Sequence, residues 1–241
     1  LVDGEVVAAA EEERFTRIKH ARNHMPVAAT EYCLDAAGIS PLDVDVVAFP
    51  YAPISLASPA RWHYARRYWY APDRALDAIF NGNRRFRRNR GRVREAGLQV
   101  GIDWDRTRFV PVEHHLAHAS SAYHLGGFEG KTAVMSVDGK GEYATTFFGY
   151  AEAGRIHRIK EFYDPDSLSS VYGAITEYLG FEMLDGEYKV MGMAPYGDPA
   201  RLDLSRLIAR RAKGFRVDTR CVNAVGLRRH KEAGVGYYFS D

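Results

Sequence analysis

Two histidines separated by three residues carry the most direct chemistry in the sequence. His114, His115 and His118 stand among small residues between Glu113 and Ala122. On a helix, His114 and His118 would lie one turn apart on one face, with Cβ atoms about 5–6 Å apart, so both imidazoles could bind one cation. His115 would point elsewhere. Because an isolated pair of helical histidines is more often solvated or packed in a core, a metal site requires a third ligand.

A carboxylate that could be this ligand follows twenty residues later. Residues 132–138 read as a buried strand that ends in Asp138, and open α/β sheets bind ligands at the carboxyl ends of their strands. Two imidazoles and one carboxylate form an incomplete shell that leaves positions open for substrate. Gly139 and Gly141 would let backbone amides approach phosphate oxygens, although this segment could equally be a hairpin turn.

Two other segments could bind anions. Glycines surround Lys189 between Leu184 and Gly197, including Gly192, which suits a nucleotide pocket or merely shapes a loop. Residues 84–94 contain no acid and seven arginines, Arg84, Arg85, Arg87, Arg88, Arg90, Arg92 and Arg94. Because this run follows an aromatic segment at 62–70, it could bind nucleic acid or an acidic saccharide. The alternative that we favour is a solvated helix face in a variable insertion.

The elements that must position these residues alternate between strand and helix. A tight Asp3-Gly4 turn opens the chain, a charged loop follows, Val27–Ala37 reads as a helix capped by Gly38, and residues 44–50 read as a buried strand. This order predicts an α/β protein. The remaining predicted elements are helices at 58–70, 73–89, 114–125, 169–179 and 199–212 and strands at 108–113, 142–151 and 155–163.

Composition sets further limits. With 46% apolar residues and a net charge of +2, the chain can bury a core, and any positive field depends on how the charge is distributed. No apolar stretch approaches the roughly 20 residues of a spanning helix, so we expect a cytoplasmic protein with no membrane partner. Cys33 and Cys221 are too far apart for a zinc knuckle and read as packing residues. The opening on Leu1 and the aromatic end at 236–241 suggest truncation at both termini.

Four motifs resemble the O-carbamoyltransferases of nodulation-factor and antibiotic biosynthesis, and they occur in the family's order. They are residues 11–20 (EEERFTRIKH), 114–122 (HHLAHASSA), 137–142 (VDGKGE) and 186–197 (GEYKVMGMAPYG). The resemblance implies an incomplete actin/Hsp70/sugar-kinase-like, or ribonuclease H-like, fold. Its first subdomain would span 1–131, with a helical insertion at 51–107, and the second would begin at 132–241. A nucleotide-binding domain would follow in the full protein.

The same resemblance implies an ATP-dependent reaction and assigns roles to residues. Carbamoyl phosphate and ATP would give carbamoyl-adenylate, whose carbamoyl group passes to a hydroxyl of a sugar or natural product. The implied metal ligands, with Fe²⁺ expected, are His114, His118 and Asp138, and Lys19 would face the carbamoyl-adenylate. The implied nucleotide-pocket residues are Gly139, Gly141, Lys189 and Gly192. The family's general base is a histidine ahead of Leu1, so we expect this chain alone to be inactive.

Two other classes of function compete with carbamoyl transfer. One is another enzyme of the same fold, either a sugar kinase or a tRNA threonylcarbamoyltransferase-like protein. A kinase needs a phosphate-binding loop on the first hairpin, and the tRNA-modifying enzymes would usually lack the Glu-Glu-Arg-Phe motif. The other is a nucleic-acid-binding module, for which changes at Arg87, Arg88 and Arg90 would matter more than a change at His114.

Overall fold

A computed structural model describes residues 1–21 and 23–219 of the chain. The helices are α1 (Glu13–Thr16), α2 (Val27–Ala37), α3 (Pro59–Arg67), α4 (Pro72–Asn81), α5 (Arg84–Val100), α6 (His114–Leu125), α7 (Leu168–Tyr178) and α8 (Glu187–Met193). The strands are β1 (Val46–Phe49), β2 (Arg108–Pro111), β3 (Thr132–Val137), β4 (Ala144–Glu152), β5 (Arg155–Tyr163), β6 (Ile208–Arg211) and β7 (Gly214–Val217). Cys221 and the aromatic end at 236–241 lie outside the described residues.

The strands form three small sheets. β1 pairs with β2 in parallel, β3, β4 and β5 form an antiparallel sheet with β4 in the middle, and β6 pairs with β7 in antiparallel. This mixture of helices and sheets confirms the predicted α/β class. The narrower assignment to the actin/Hsp70/sugar-kinase-like fold stays a prediction. In the described part of the chain, no helix combines the length and the apolar character that crossing a bilayer demands.

Two compact units divide the chain. Among the described residues, those within 1–53 and 81–112 form the first, and those within 54–80 and 113–219 form the second. The first unit contains the parallel β1–β2 pair and helices α2 and α5, which pack against each other. The predicted subdomain boundary at 131/132 and the predicted missing C-terminal domain stay predictions.

In the first unit, acidic side chains of the Glu-Glu-Glu segment organise the local backbone. The Glu12 carboxylate accepts the N–H groups of Ala28 (3.4 Å) and Ala29 (2.8 Å), which are otherwise unpaired in the first turn of α2. Glu13 accepts the N–H of His20 at 2.8 Å. At the other end of α2, the predicted cap Gly38 has φ of +64°, which a glycine adopts without strain. The charged segment therefore fixes where α2 begins.

The second unit is built around the antiparallel sheet, with α6 packed on one face. Ala119 of α6 is 1% exposed and lies against Val134, Phe147 and Ala151 of β3 and β4. A small residue at this contact lets the helix axis approach the sheet closely. The predicted α6 and the predicted turn at 152–154 between β4 and β5 are both confirmed.

The predicted helix at 199–212 is wrong. Asp198 and Asp203 instead accept N–H groups two residues on and start short 3₁₀ turns, and such local bonds compete with a helix. Residues 208–217 then form the β6–β7 hairpin, with a left-handed Gly214 at φ of +142°. Phe215 stacks on Phe162 at a ring distance of 4.7 Å, and burial of this apolar side favours the hairpin.

Other predicted elements change in extent. The helix expected at 73–89 is two helices, because the turn at Gly82-Asn83 ends α4, and α5 then continues to Val100. The opening hairpin is reduced to one antiparallel bridge between Val2 and Glu5, since a first strand of two residues offers only one pair of bonds. Strands β1 and β3 are half-buried, with exposure alternating along each, because their small sheets are covered on one side.

A buried ion pair joins α3 to β7 in the second unit. The Arg67 guanidinium donates to both carboxylate oxygens of Asp166, at 2.6 and 2.5 Å, and to the carbonyl of Val217 at 2.6 Å. Asp166 also accepts the Val217 N–H at 2.8 Å. Burial raises the pKa of Asp166, but contacts from His63, Arg67 and the Val217 N–H outweigh it and leave the pKa below its usual value. The two buried charges therefore depend on each other.

Removing Arg67 should leave the Asp166 carboxylate buried without its partner. We expect Arg67→Ala to lower the free energy of unfolding by about 3–5 kcal/mol at pH 7, and Arg66→Ala, at an exposed neighbour, by no more than about 0.5 kcal/mol. Urea denaturation measures both. Because the folded pKa of Asp166 is lowered, its contribution is complete above the unfolded pKa, about 3.9, and is lost as the pH falls through the folded pKa. If both variants lost the same free energy of unfolding at pH 7, the buried Arg67–Asp166 pair would not have the stabilising role assigned to it.

Candidate metal centre

The predicted pair of histidines lies on one face of α6, in its first two turns. The Nε2 atoms of His114 and His118 are 3.1 Å apart, and the two rings meet edge to face at 4.6 Å. His114 is largely buried, whereas the side chain of His118 is 53% exposed. The sequence prediction that residues four apart on this helix present both imidazoles to one point is confirmed.

Asp138 supplies a carboxylate at the same point. Its Oδ2 lies 2.7 Å from His114 Nε2 and 3.9 Å from His118 Nε2. Asp138 directly follows β3 in the tight connection to β4, where the Asp138 N–H donates to the Thr145 carbonyl and the Gly141 N–H to the Ala144 carbonyl. The Asp-Gly-Lys-Gly segment is therefore a hairpin turn, and the carboxylate reaches the site from an antiparallel sheet rather than a parallel one.

The three side chains have the composition and spacing of a metal shell. One ligand atom from each lies within 4.8 Å of the others. Ligands bound about 2.1 Å from one ion are separated by about 3.0–3.5 Å in octahedral or tetrahedral geometry, and the observed distances bracket this range. Three electron-rich atoms this close require shared protons or a cation between them. Two imidazoles and one carboxylate suit a divalent first-row metal with positions left for substrate.

The turn between β3 and β4 packs directly on the first turn of α6. The Glu142 carboxylate accepts the N–H of His114 at 3.2 and 3.3 Å, which satisfies an otherwise unpaired donor at the helix start. A Cβ added to Gly141 would lie 2.9 Å from the Cβ of His114, closer than real Cβ contacts. The absence of a side chain at residue 141 therefore allows Asp138 to reach the histidines.

Two buried residues, His115 and Ser167, link the helices next to the site to the β3–β4 hairpin. His115 is 2% exposed, and its ring nitrogens bond Ser136 Oγ at 3.0 Å and the Ala144 carbonyl at 2.9 Å. Burial lowers the pKa of His115, so it stays neutral and ties α6 to β3 and β4. Ser167, which is fully buried at the start of α7, donates to the Gly139 carbonyl at 2.9 Å.

Sequence reasoning assigned His115 away from the site, which is confirmed, but it missed Ser167 altogether. A serine followed by a helical pattern signals a helix cap, and Ser167 does accept the N–H of Ser170 at 3.1 Å. Nothing in the sequence indicated that the same hydroxyl would reach the Asp138–Gly139 turn. Glu142 was part of a recognised motif, but its role as the cap of α6 depends on how the β3–β4 turn packs on the helix, which the motif did not indicate.

Asp138 is held in its charged form. The hydrogen bond with His114 lowers its pKa, burial opposes this effect, and the Gly139 N–H, which donates to Oδ1 at 2.6 Å, lowers it further, to about 2. A carboxylate that stays ionised throughout the neutral range is ready to bind a cation without first losing a proton.

Sequence similarity to known proteins shows the family to which the chain belongs. The sequence profile described as "Carbamoyltransferase N-terminus" matches residues 1–231. The chain belongs to this family. Nodulation protein NolNO of Sinorhizobium fredii is 36% identical over 200 residues, covering 82% of this chain. Protein sll1178 of Synechocystis sp. is 36% identical over 234 residues, covering 93%, and nodulation protein NolO of Bradyrhizobium diazoefficiens is 40% identical over 90 residues, covering 37%.

These relatives are considerably longer than the chain. The matched regions span 27% of NolNO, 37% of the Synechocystis protein and 16% of NolO. This carbamoyltransferase N-terminal chain thus corresponds to a minor part of the length of its relatives.

The remaining predicted site residues lie on separate elements of the carbamoyltransferase N-terminal chain. Lys19 is in a 3₁₀ turn of the first unit. Lys189 and Gly192 lie on α8 in the second unit, where the Lys189 ammonium is 5.7 Å from the ring centre of Phe181. Gly139 is next to Asp138. The structure thus brings together the three predicted metal ligands, Gly139 and Gly141, while the nucleotide-binding roles stay predictions.

Several arginines of α5 contact aromatic rings or backbone within the first unit. Arg85 lies over Tyr51, Arg90 over Phe109 and Arg94 over Trp104, at 5.4 to 5.6 Å from the ring centres. Arg92 donates to the Asn23 carbonyl at 3.1 Å. These contacts favour a structural role for four of the seven arginines.

The contact at Gly141 gives a steric test of the site. We expect Gly141→Ala to push the turn away from α6 and to lower metal affinity by about 10–100-fold, as disturbed supporting contacts commonly do. Competition with a chromogenic chelator measures the affinity. Gly139→Ala is the matched control, because a Cβ there meets nothing within 4 Å and the N–H to Asp138 is kept. Equal affinities in the two variants would show that the close packing does not position the ligands.

Proposed function

We propose that the chain is the N-terminal part of an ATP-dependent O-carbamoyltransferase. In this reaction, carbamoyl-adenylate, made from carbamoyl phosphate and ATP, gives its carbamoyl group to a hydroxyl of a sugar or natural product. Family membership supports carbamoyl transfer, and the convergence of His114, His118 and Asp138 is the observation that carries the mechanism. The α/β elements would then be part of an actin/Hsp70/sugar-kinase-like fold.

The three convergent side chains would hold a divalent metal, with Fe²⁺ expected. When bound, the metal would supply positive charge to the phosphate and ribose oxygens of the adenylate and stabilise the leaving phosphate. His114, fixed by Asp138 and by the Glu142 cap, would provide the rigid ligand. The exposed His118 would adjust its ring to the ion.

Binding and orientation of the mixed anhydride would account for most of the rate increase. Holding the carbonyl in one orientation converts a bimolecular attack into a nearly unimolecular one. Lys19 would add a second positive charge beside the carbamoyl-adenylate, and Gly139, Gly141, Lys189 and Gly192 would line the nucleotide pocket. The general base that takes the proton from the acceptor hydroxyl would come from outside this chain.

Replacing His118 tests the metal ligand. In the full-length protein we expect His118→Ala to abolish both iron retention and carbamoyl transfer while the fold stays near native, because the side chain is half exposed. Elemental analysis measures the metal, and a carbamoyl-transfer assay measures turnover. His124→Ala, an exposed histidine on the same helix, is the control and should leave both unchanged. Full metal occupancy with persistent turnover in His118→Ala would overturn the site.

The competing nucleic-acid-binding function makes the opposite prediction. A variant with Arg87, Arg88 and Arg90 all changed to glutamine should keep carbamoyl transfer within about twofold if the charges of these arginines take no part in the reaction. Loss of the Arg90 contact with Phe109 should lower stability rather than activity. A binding module would lose its function in this variant and keep it in His118→Ala. Transfer activity and filter binding to RNA, measured on both variants, separate the two functions.

A further inference from the structure

A basic pocket of about 510 Å³ lies in the second unit, on elements other than those of the metal centre. Its walls come from the end of α3 with the following residues, from the last 3₁₀ turn, and from the β6–β7 hairpin. The volume is within the roughly 300–1,000 Å³ of typical small-molecule sites. We call it the arginine pocket, and its charged walls are Arg66, Arg67, Arg206, Arg211 and Arg216.

Four of these arginines are available to a ligand. Arg66, Arg206, Arg211 and Arg216 are exposed, and within residues 1–21 and 23–219 none of them forms an ion pair or hydrogen bond with another side chain. Among the lining residues that the structure describes, Asp218 is the single acidic one. Such a concentration of unneutralised guanidinium groups around one concavity favours a ligand with several negative charges.

The strand register of the β6–β7 hairpin places two arginines on the same face. Ala209 pairs with Arg216 and Arg211 with Gly214. Because side chains alternate along a strand and paired residues share a face, Arg211 and Arg216 point to the same side as the small Ala209. Arg210 is directed to the opposite side with its partner Phe215. Ala209 leaves room between the two guanidinium groups.

The fifth arginine, Arg67, supports the structure of the pocket and adds no free charge to it. Arg67 is neutralised by Asp166 and also bonds the Val217 carbonyl, so it locks α3 to β7. The Tyr70 hydroxyl also donates to Thr219 Oγ1 at 3.0 Å. These bonds join the two walls directly, so the free arginines are held on a fixed frame and lose less entropy when they bind.

An aromatic residue, Trp69, also lines the arginine pocket. Trp69 is 79% exposed, which is unusual for so large an apolar residue, and its ring meets Tyr70 edge to face at 6.2 Å. An exposed indole at the edge of a basic pocket can stack on the planar ring of a ligand. The pocket thus offers an aromatic surface next to four guanidinium groups.

We propose that the arginine pocket binds a small molecule that carries a diphosphate or triphosphate group. Guanidinium groups bind phosphate oxygens in pairs of parallel hydrogen bonds, and two or more phosphates match the number of unneutralised arginines. The inference stands apart from the proposed transferase chemistry, because α3, β6 and β7 contribute no metal ligand.

Two probes, pyrophosphate and ATP, test the pocket in the full-length protein with a chelator present to remove metal-mediated binding. We expect saturable binding of pyrophosphate by calorimetry and quenching of tryptophan fluorescence by ATP that is absent in Trp69→Phe. If the charges carry the affinity, the double variant Arg211→Gln/Arg216→Gln should weaken pyrophosphate binding at this site by about tenfold or more. Stronger binding of ATP than of pyrophosphate would assign the ligand to the nucleotides, and equal binding would assign it to the phosphate group alone.

Arg210→Gln is the matched control, since it removes the same charge from the opposite face of the same hairpin. It should keep pyrophosphate binding within about twofold, the effect of a distant screened charge. Equal weakening in the control and the double variant would overturn the proposal, as would no saturable binding of either probe at about 5 mM. Steeply salt-dependent binding of oligonucleotides without saturable pyrophosphate binding would overturn it in favour of a nucleic acid surface.

Discussion

The candidate metal centre depends on one close contact, between the β3–β4 turn and the first turn of α6. Gly141 lies against His114 with no room for a side chain, and this approach brings the Asp138 carboxylate within 2.7 Å of the imidazole. The Glu142 carboxylate completes the contact by accepting the His114 N–H. A single turn thus supplies the glycine that permits the close approach, the carboxylate that caps α6, and the candidate ligand Asp138.

Around that contact, two buried polar side chains form hydrogen bonds that link neighbouring elements. His115 ties the helix to the sheet through Ser136 and the Ala144 carbonyl, and Ser167 ties the start of α7 to the turn. Because an unpaired buried polar group costs free energy, each of these bonds penalises movement of the turn relative to its neighbours. A site held in this way is already close to the geometry that an ion would require, so little conformational entropy would be lost on binding.

The arginines of the chain serve in different physical settings. Those of α5 lie over aromatic rings of the first unit, where a weakly hydrated guanidinium contributes packing as well as charge. Arg67 is buried against Asp166 and joins two elements. Around the pocket of the second unit, Arg211 and Arg216 remain open to solvent. A net charge of +2 for the chain conceals these local differences.

Local signals in the sequence were enough to predict the α/β class, the helices at 27–37 and 114–125, and the histidine pair, because helical periodicity and glycine caps do not depend on tertiary contacts. The motifs also indicated the family that the sequence profile then showed. The helix predicted at 199–212 was wrong, because residues 208–217 form a hairpin whose Phe215 stacks on Phe162, a long-range contact that the sequence did not indicate. The role of Ser167 became evident from the packed structure alone, where this residue, 29 positions beyond Asp138, donates a hydrogen bond to the Asp138 carbonyl and supports the turn. Such a contact between residues far apart in the chain depends on how the elements pack together. It produces no periodic pattern around either residue in the sequence.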